Sequence, residues 1–141
     1  MIFSRNALAV MLGGGAGAVC RVMTGFAVME KLRHNAIVSF VGAVHIPGFP
    51  LGVLCVNVLG GFLMGLLQGW MRRTGNTFAT GYCLLGTGFL GGFTTFSTFS
   101  LDTFLLYRSG DASLAALNIA LNMVLCLCAV WGGYALLAPP P

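Results

Sequence analysis

One stretch constrains the fold more than any other part of the chain, residues 86–100, which is rich in glycine at first and then alternates phenylalanine with threonine and serine. Its flanks, residues 77–90 and 101–107, are mostly apolar. In lipid, an unpaired backbone amide or carbonyl is costly, so irregular backbone persists only where it is buried in protein, lines water or holds an ion. The stretch therefore predicts a membrane helix that is broken near residues 91–95, and it predicts that the function of the protein depends on this break.

The low charge content of the chain supports a membrane location. Of 141 residues, 57% are hydrophobic and only 7% are charged, against about 25% charged in a soluble domain. A soluble fold could not cover its surface with so few charges, and we therefore expect an integral membrane protein. The five cysteines all fall inside apolar runs without metal-ligand spacing, and we interpret them as small hydrophobic residues.

Hydrophobic runs predict an all-α fold with four transmembrane helices in one transmembrane domain, residues 1–141. The spans are expected at about 6–29, 51–70, 77–107 and 112–138, the third being the broken one. Each is long enough for the ~20 residues that cross a bilayer. Within the polar linker between the first two spans, the short apolar piece 36–44 is interpreted as an interfacial or loop segment rather than a fifth span.

The distribution of basic residues does not predict which way a four-span chain is oriented in the membrane. Arg21, inside the first span, is left out of the count. One side of a four-span chain carries Arg5, Arg72 and Arg73, and the other carries Lys31, Arg33 and Arg108. Because the positive-inside rule depends on an excess, two hypotheses stay open: one loop decides by its position, or the protein inserts both ways and pairs antiparallel.

Glycines at helix-contact spacing, together with the small number of helices, bear on assembly. Gly13 and Gly17, and Gly61, Gly65 and Gly69, lie four residues apart, which permits close helix approach within one chain or between two. Four helices are few for a transport pathway, and a homodimer is the simpler way to build a solvated one.

No enzyme site is visible in the sequence. The acids Glu30, Asp102 and Asp111 lie near segment ends, and both histidines lie in the linker. No serine has a histidine and an acid placed to activate it. We therefore expect a protein that is not an enzyme and that has no nucleic-acid partner.

Several polar side chains lie inside the predicted spans and could line an ion pathway. Asn57 is in the second span, and Asn118 and Asn122 share one face of the fourth, being four residues apart. Buried amides require partners. Two interpretations stay open, interhelical hydrogen bonds and a wet polar track.

Aromatic and hydroxyl residues follow the break. Phe96 and Phe99 share a face if the helix resumes, and phenyl ring edges carry positive quadrupole charge. With the hydroxyls of Ser97 and Thr98, they suit a small, hard anion better than a fixed lysine, which could hold the ion too tightly. The alternative is a packed aromatic core.

Two further features concern cations. Arg21 is the only basic residue inside a predicted span, and it could either snorkel to the surface or add positive potential at a vestibule. Carbonyls freed by a broken helix coordinate sodium in other membrane folds. At a two-fold axis, two carbonyls from each subunit would provide four oxygens.

From Gly13 to Tyr134, the chain resembles the CrcB/Fluc fluoride channels. The run 88–100 is the most specific motif, and the runs 13–21 and 52–60 fit the glycine–arginine and asparagine motifs of the family. The last span is a looser match. Val53 stands where the family usually has threonine, and Cys126 where hydroxyls are common.

The resemblance implies an antiparallel, dual-topology homodimer that exports fluoride passively across the bacterial inner membrane, selectively over chloride, through two pores lined by both subunits. It implies an ion pathway with Asn57 as the pore amide, Phe96 and Phe99 as its rings, Ser97 and Thr98 as nearby hydroxyls, and Asn122 in the fourth-span track. It also implies a structural Na⁺ at the dimer interface, held by the carbonyls of Gly91 and Thr94.

Two other functions are alternatives to the channel. A proton-coupled, dual-topology exporter of small cationic compounds can also have four spans, but it needs an intramembrane carboxylate, for which Asp102 is the only candidate. The other is a subunit with a structural role that transports nothing.

Overall fold

The computed structural model describes residues 2–34, 49–75 and 79–139, and its regular structure is helical throughout these ranges. The elements are α1 (Ile2–His34), α2 (Leu51–Thr74), α3 (Ala79–Tyr82), a π-helix (Cys83–Leu90), α4 (Gly91–Phe93), α5 (Phe96–Arg108) and α6 (Ala112–Leu137). The apolar piece 36–44 and the first two residues of the predicted third span lie outside the described residues.

Within the described ranges, three uninterrupted helices are long and apolar enough to cross a membrane: residues 4–31 of α1, all of α2 and all of α6. These segments have 28, 24 and 26 residues, above the ~20 that a bilayer requires. Large apolar side chains such as Met23, Phe26, Leu127 and Trp131 are exposed on their outer faces, as expected for surfaces that meet lipid. The chain is therefore an all-α, multi-pass membrane protein.

The third hydrophobic segment is interrupted at its pair of adjacent threonines, Thr94 and Thr95. Gly91 and Gly92 are still helical, whereas Thr94 (φ −81°, ψ 159°) and Thr95 (φ −148°, ψ 116°) are extended. The helix resumes at Phe96. Within the predicted window 91–95, the break thus lies at the β-branched threonines, and the glycines of α4 precede it. We call the Thr94–Thr95 interruption the break.

The glycines of the first half of this segment and of α1 allow two backbones to touch. A Cβ on Gly13 or Gly17 would overlap the backbone of Leu84 or Phe89, at the two ends of the π-helix. The wider turn of the π-helix was not predicted, since no residue pattern distinguishes it from an α-helix in a glycine-rich run. This contact brings α1, and Arg21 on it, beside the break.

A second close contact joins α2 to α6. A Cβ on Gly65 would overlap the Val130 carbonyl, and one on Gly133 would overlap the Phe62 carbonyl. The glycines at helix-contact spacing in α1 and α2 therefore make intramolecular contacts in this fold. Their approach sets Asn57 of α2 and Asn122 of α6 within hydrogen-bonding distance of each other.

Candidate functional site at the helix break

Asn57 supplies the hydrogen bonds that the broken helix loses. In an unbroken helix the Thr95 amide would donate to the Gly91 carbonyl. Here the Thr95 N–H donates to Asn57 Oδ1 at 2.9 Å, and Asn57 Nδ2 donates to the Thr95 carbonyl at 3.2 Å. The amide side chain therefore pairs with the extended residue as a neighbouring strand would, and it satisfies both of that residue's backbone groups.

The three asparagines form one hydrogen-bonded series, which we call the asparagine relay (Asn57, Asn122 and Asn118). Asn57 Nδ2 donates to Asn122 Oδ1 at 3.1 Å, and Asn122 Nδ2 donates to both the carbonyl and the Oδ1 of Asn118 at 3.0 Å. Asn118 is fully buried and Asn122 nearly so. In this structure the asparagines bond to one another between and along helices, as the first of the two interpretations expected.

Thr103 ends this relay, and the sequence did not single it out. Asn118 Nδ2 donates to Thr103 Oγ1 at 2.8 Å, and that hydroxyl donates to the Phe99 carbonyl at 2.7 Å. A threonine that bonds back to the carbonyl four residues earlier is common in membrane helices. Its spacing from Phe99 is visible in the sequence, whereas its pairing with Asn118 is not.

Thr95 is the centre of the hydroxyl cluster that follows the break. Its Oγ1 lies 3.2 Å from Ser97 Oγ and 3.0 Å from Thr98 Oγ1, and it accepts a hydrogen bond from the Thr98 amide at 3.2 Å. It is therefore the N-cap of α5. Ser97 and Thr98, predicted as pathway hydroxyls, are exposed on the described chain, whereas Thr95 is buried. A threonine directly before a resuming helix is an N-cap signal that could have identified it.

The two phenylalanines of α5 pack against each other but differ in exposure. Their ring centroids are 5.5 Å apart and the planes are inclined by 53°. Phe99 is 9% exposed, whereas Phe96 is 78% exposed. Only Phe99 belongs to the core of the described chain, so the packed-core alternative does not account for Phe96.

An uncharged cavity of about 360 Å³ brings four of the predicted pathway residues together: Asn57, Phe96, Phe99 and Asn122. Its remaining walls are apolar or neutral and include Gly60, Thr95 and Cys126. Ser97, Thr98 and Asn118 lie outside this lining and reach it through hydrogen bonds to Thr95 and Asn122. The predicted residues thus form one connected group around the break, of which the cavity is one part.

Arg21 lies on the other side of the break. Its Nη1 donates to the Thr94 carbonyl at 3.3 Å. It also lines a separate cavity of about 530 Å³ together with Thr98 and Asp102. The guanidinium is therefore directed into the protein at the break, and it places positive charge near the hydroxyl cluster.

The break has the electrostatics of an anion site on one side. The first amides of α5 have no intrahelical acceptors, and the N-terminus of a helix carries about half a positive charge. The cavity that Phe96 and Phe99 line, together with Asn57, Asn122 and Thr95, has no charged residue in its lining. Such a site can stabilise a small anion while leaving it free to move.

Comparison with known proteins identifies the family. A family model described as "CrcB-like protein, Camphor Resistance (CrcB)" matches residues 8–134. A protein of Campylobacter lari named "Fluoride-specific ion channel FluC" is 42% identical over 127 residues, which cover 90% of this chain and 93% of the relative. Proteins with the same name from Cereibacter sphaeroides (strain ATCC 17029) and Shewanella oneidensis are 42% and 43% identical, over 91% of this chain and 90% and 92% of their own lengths.

Proposed function

The chain belongs to the CrcB family, and from this premise we propose that it is a fluoride-specific ion channel that exports fluoride passively across the bacterial inner membrane. The observation that carries the proposal is the uncharged cavity beside the break, whose lining combines the amides of Asn57 and Asn122 with the rings of Phe96 and Phe99. It is not an enzyme. Its substrate is an ion whose hydration shell the site must replace.

Asn57 acts by exchanging hydrogen-bond partners. Both hydrogens of its Nδ2 are already donated, one to the Thr95 carbonyl and one to Asn122 Oδ1. A fluoride ion that enters the cavity gains a donor only when one of these bonds is released. The exchange replaces one hydrogen bond by another, so the ion is neither trapped nor rejected.

The rings and the start of α5 supply the remaining stabilisation. Phe96 and Phe99 are inclined to each other, which allows a ring edge rather than a ring face to meet the anion. The positive end of α5 and the Thr95 hydroxyl cluster lie beside them. Fluoride is favoured over chloride because short, directional donors in a small site stabilise the smaller ion more strongly.

The functional unit proposed is an antiparallel homodimer with dual topology, in which each chain contributes four spans. Phe96, Ser97 and Thr98 are exposed at the middle of a membrane segment in the described chain. Hydroxyls facing lipid are unfavourable, and a second copy would cover them. The equal division of basic residues supports insertion in both directions.

A structural Na⁺ at the two-fold axis is a further part of the proposal. Carbonyl oxygens are suitable ligands for a hard cation, and Gly91 loses its helical donor because the Thr95 amide is bonded to Asn57. The Thr94 carbonyl also fits by donor type, although it accepts a hydrogen bond from Arg21. Two oxygens are too few to enclose the ion, so it would require both subunits; when bound, it would neutralise the carbonyl dipoles at the break.

The proton-coupled exporter of cationic compounds has no support from the relatives, which are named as fluoride-specific channels. It makes a distinct prediction, because Asp102→Asn would abolish proton coupling. A structural subunit predicts no flux at all.

Purified protein in liposomes tests the proposal directly. Loaded with fluoride and diluted into fluoride-free buffer, the vesicles should release fluoride to an electrode once a potassium ionophore removes the opposing voltage. Protein-free vesicles are the control for leak. Absence of fluoride release, or chloride release at an equal rate, would contradict the proposal. Labelling of tagged termini from both sides of the membrane tests dual topology separately.

A further inference from the structure

We propose that Thr103 is a positioning residue for conduction, because its hydroxyl closes the asparagine relay onto the backbone of Phe99. The proposal rests on the function proposed above. Thr103 lies outside the lining of the cavity beside the break, so it acts through the residues that it holds. No part of the sequence pattern separates it from the other hydroxyls of α5.

The relay begins and ends on the same helix. At one end Thr95, directly before α5, donates its amide to Asn57. The relay then passes through Asn122 and Asn118 of α6, and it returns to α5 at Thr103, seven residues after Phe96. This series of hydrogen bonds, closed through the backbone of α5, therefore ties α2, α5 and α6 together beside the cavity.

The two ends also determine which way each amide points. The Thr95 amide can only donate, so Asn57 must present Oδ1 to it, and the Phe99 carbonyl can only accept, so the Thr103 hydroxyl must donate to it. Thr103 Oγ1 is then left as an acceptor, and Asn118 must present Nδ2 to it. Between these ends every side-chain amide donates in the same direction, from Asn57 through Asn122 to Asn118.

Phe99 is the reason that this ring matters for conduction. Its side chain lines the cavity, and its carbonyl is the last acceptor of the relay. Thr103 therefore fixes the position of Phe99 relative to the side-chain amides of the asparagine relay. Without the hydroxyl, buried Asn118 loses the acceptor for one donor, and an unsatisfied buried amide turns toward another partner.

The experiment compares three variants in the liposome assay. Thr103→Val keeps the shape but removes the hydroxyl, and we expect fluoride release to slow about tenfold, the change that about 1.4 kcal/mol in a barrier produces. Thr103→Ser keeps the hydroxyl and should restore release to within about twofold of the unmodified protein. Ser100→Ala is the matched control, because Ser100 donates to the Phe96 carbonyl in the same way but, among the described residues, accepts from no asparagine.

A double-variant cycle separates positioning from a general loss of stability. Asn118→Leu removes the same contact from the other side, so the double variant should conduct little more slowly than Asn118→Leu alone. If the two residues acted independently, the two defects in flux would instead add. Size-exclusion profiles show whether each variant assembles. If Thr103→Val does not assemble, Asn118→Leu alone tests the contact. Normal release in either variant, an equal loss in Ser100→Ala, or additive defects would overturn the proposal. Failure of the unmodified protein to release fluoride would instead reject the proposed function itself.

Discussion

Replacement of Asn57 by alanine should reduce fluoride conduction more than any other single change to an amide in the chain. The side chain makes three hydrogen bonds: it accepts one from the Thr95 amide, and it donates one to the Thr95 carbonyl and one to Asn122. Asn57→Ala removes all three. The backbone groups at the break and one end of the asparagine relay then lose their partners.

The magnitude follows from the number of groups left without a partner. Each buried polar group that loses its hydrogen bond costs about 1–3 kcal/mol, and three groups are affected. Asn57 is only half-buried, and water entering the enlarged cavity offsets part of that cost. A net loss of roughly 2–4 kcal/mol remains, which corresponds to a fall in rate of roughly 30- to 900-fold if it is expressed in the conduction barrier.

The assay is fluoride release from liposomes at matched protein density. The matched control is Gln68→Ala, which removes an amide from the exposed face of the same helix and should leave the rate unchanged. Size-exclusion chromatography shows whether Asn57→Ala still assembles. A correctly assembled Asn57→Ala protein that releases fluoride within about twofold of the unmodified rate would refute the role of this amide in both the break and the pathway.

Three other predictions follow from the structure. Phe96→Ala and Phe99→Ala should both stop flux, and Phe99→Ala should also destabilise the fold, by about 3–5 kcal/mol in thermal or denaturant unfolding, because its ring is buried within the single chain; normal flux in both would remove the rings from the mechanism. Gly17→Ala should destabilise the protein by about 1–3 kcal/mol because its Cβ meets the Phe89 backbone, whereas Gly15→Ala, which meets open space, should not; equal unfolding midpoints would contradict the close contact. Replacement of sodium by a large organic cation on both sides of the membrane should slow fluoride release, and an unchanged rate would count against a structural Na⁺.

Much of the fold could be predicted because lipid imposes simple requirements. Long apolar runs with few charges predict spanning helices, and the predicted second and fourth spans coincide closely with α2 (Leu51–Thr74) and α6 (Ala112–Leu137). The break was expected within residues 91–95, where the glycine-rich half of the apolar segment meets its threonines and aromatic rings, and it lies at Thr94–Thr95. The π-helix before it was not predicted, because its sequence is equally compatible with an α-helix.

The site was predicted as a set of residues but not as a set of contacts. Asn57, Asn118 and Asn122 were identified because a polar side chain in an apolar span is conspicuous. Thr95 and Thr103 were not, because threonine is common in membrane helices and is usually satisfied by its own helix. What makes them important is the partner across the interface: the Thr95 amide meets Asn57, and the Thr103 hydroxyl meets Asn118.

The amino-acid sequence by itself determined the class of protein, the position of the spans and the place where a helix must fail, since these depend on local composition and on the cost of unpaired backbone in lipid. Only the tertiary structure decided which groups satisfy that failure. The decisive hydrogen bonds join residues 38 and 65 positions apart, and no local pattern specifies such pairs. The Asn57–Asn122 bond forms because glycine contacts bring α2 and α6 close enough for two amides to meet.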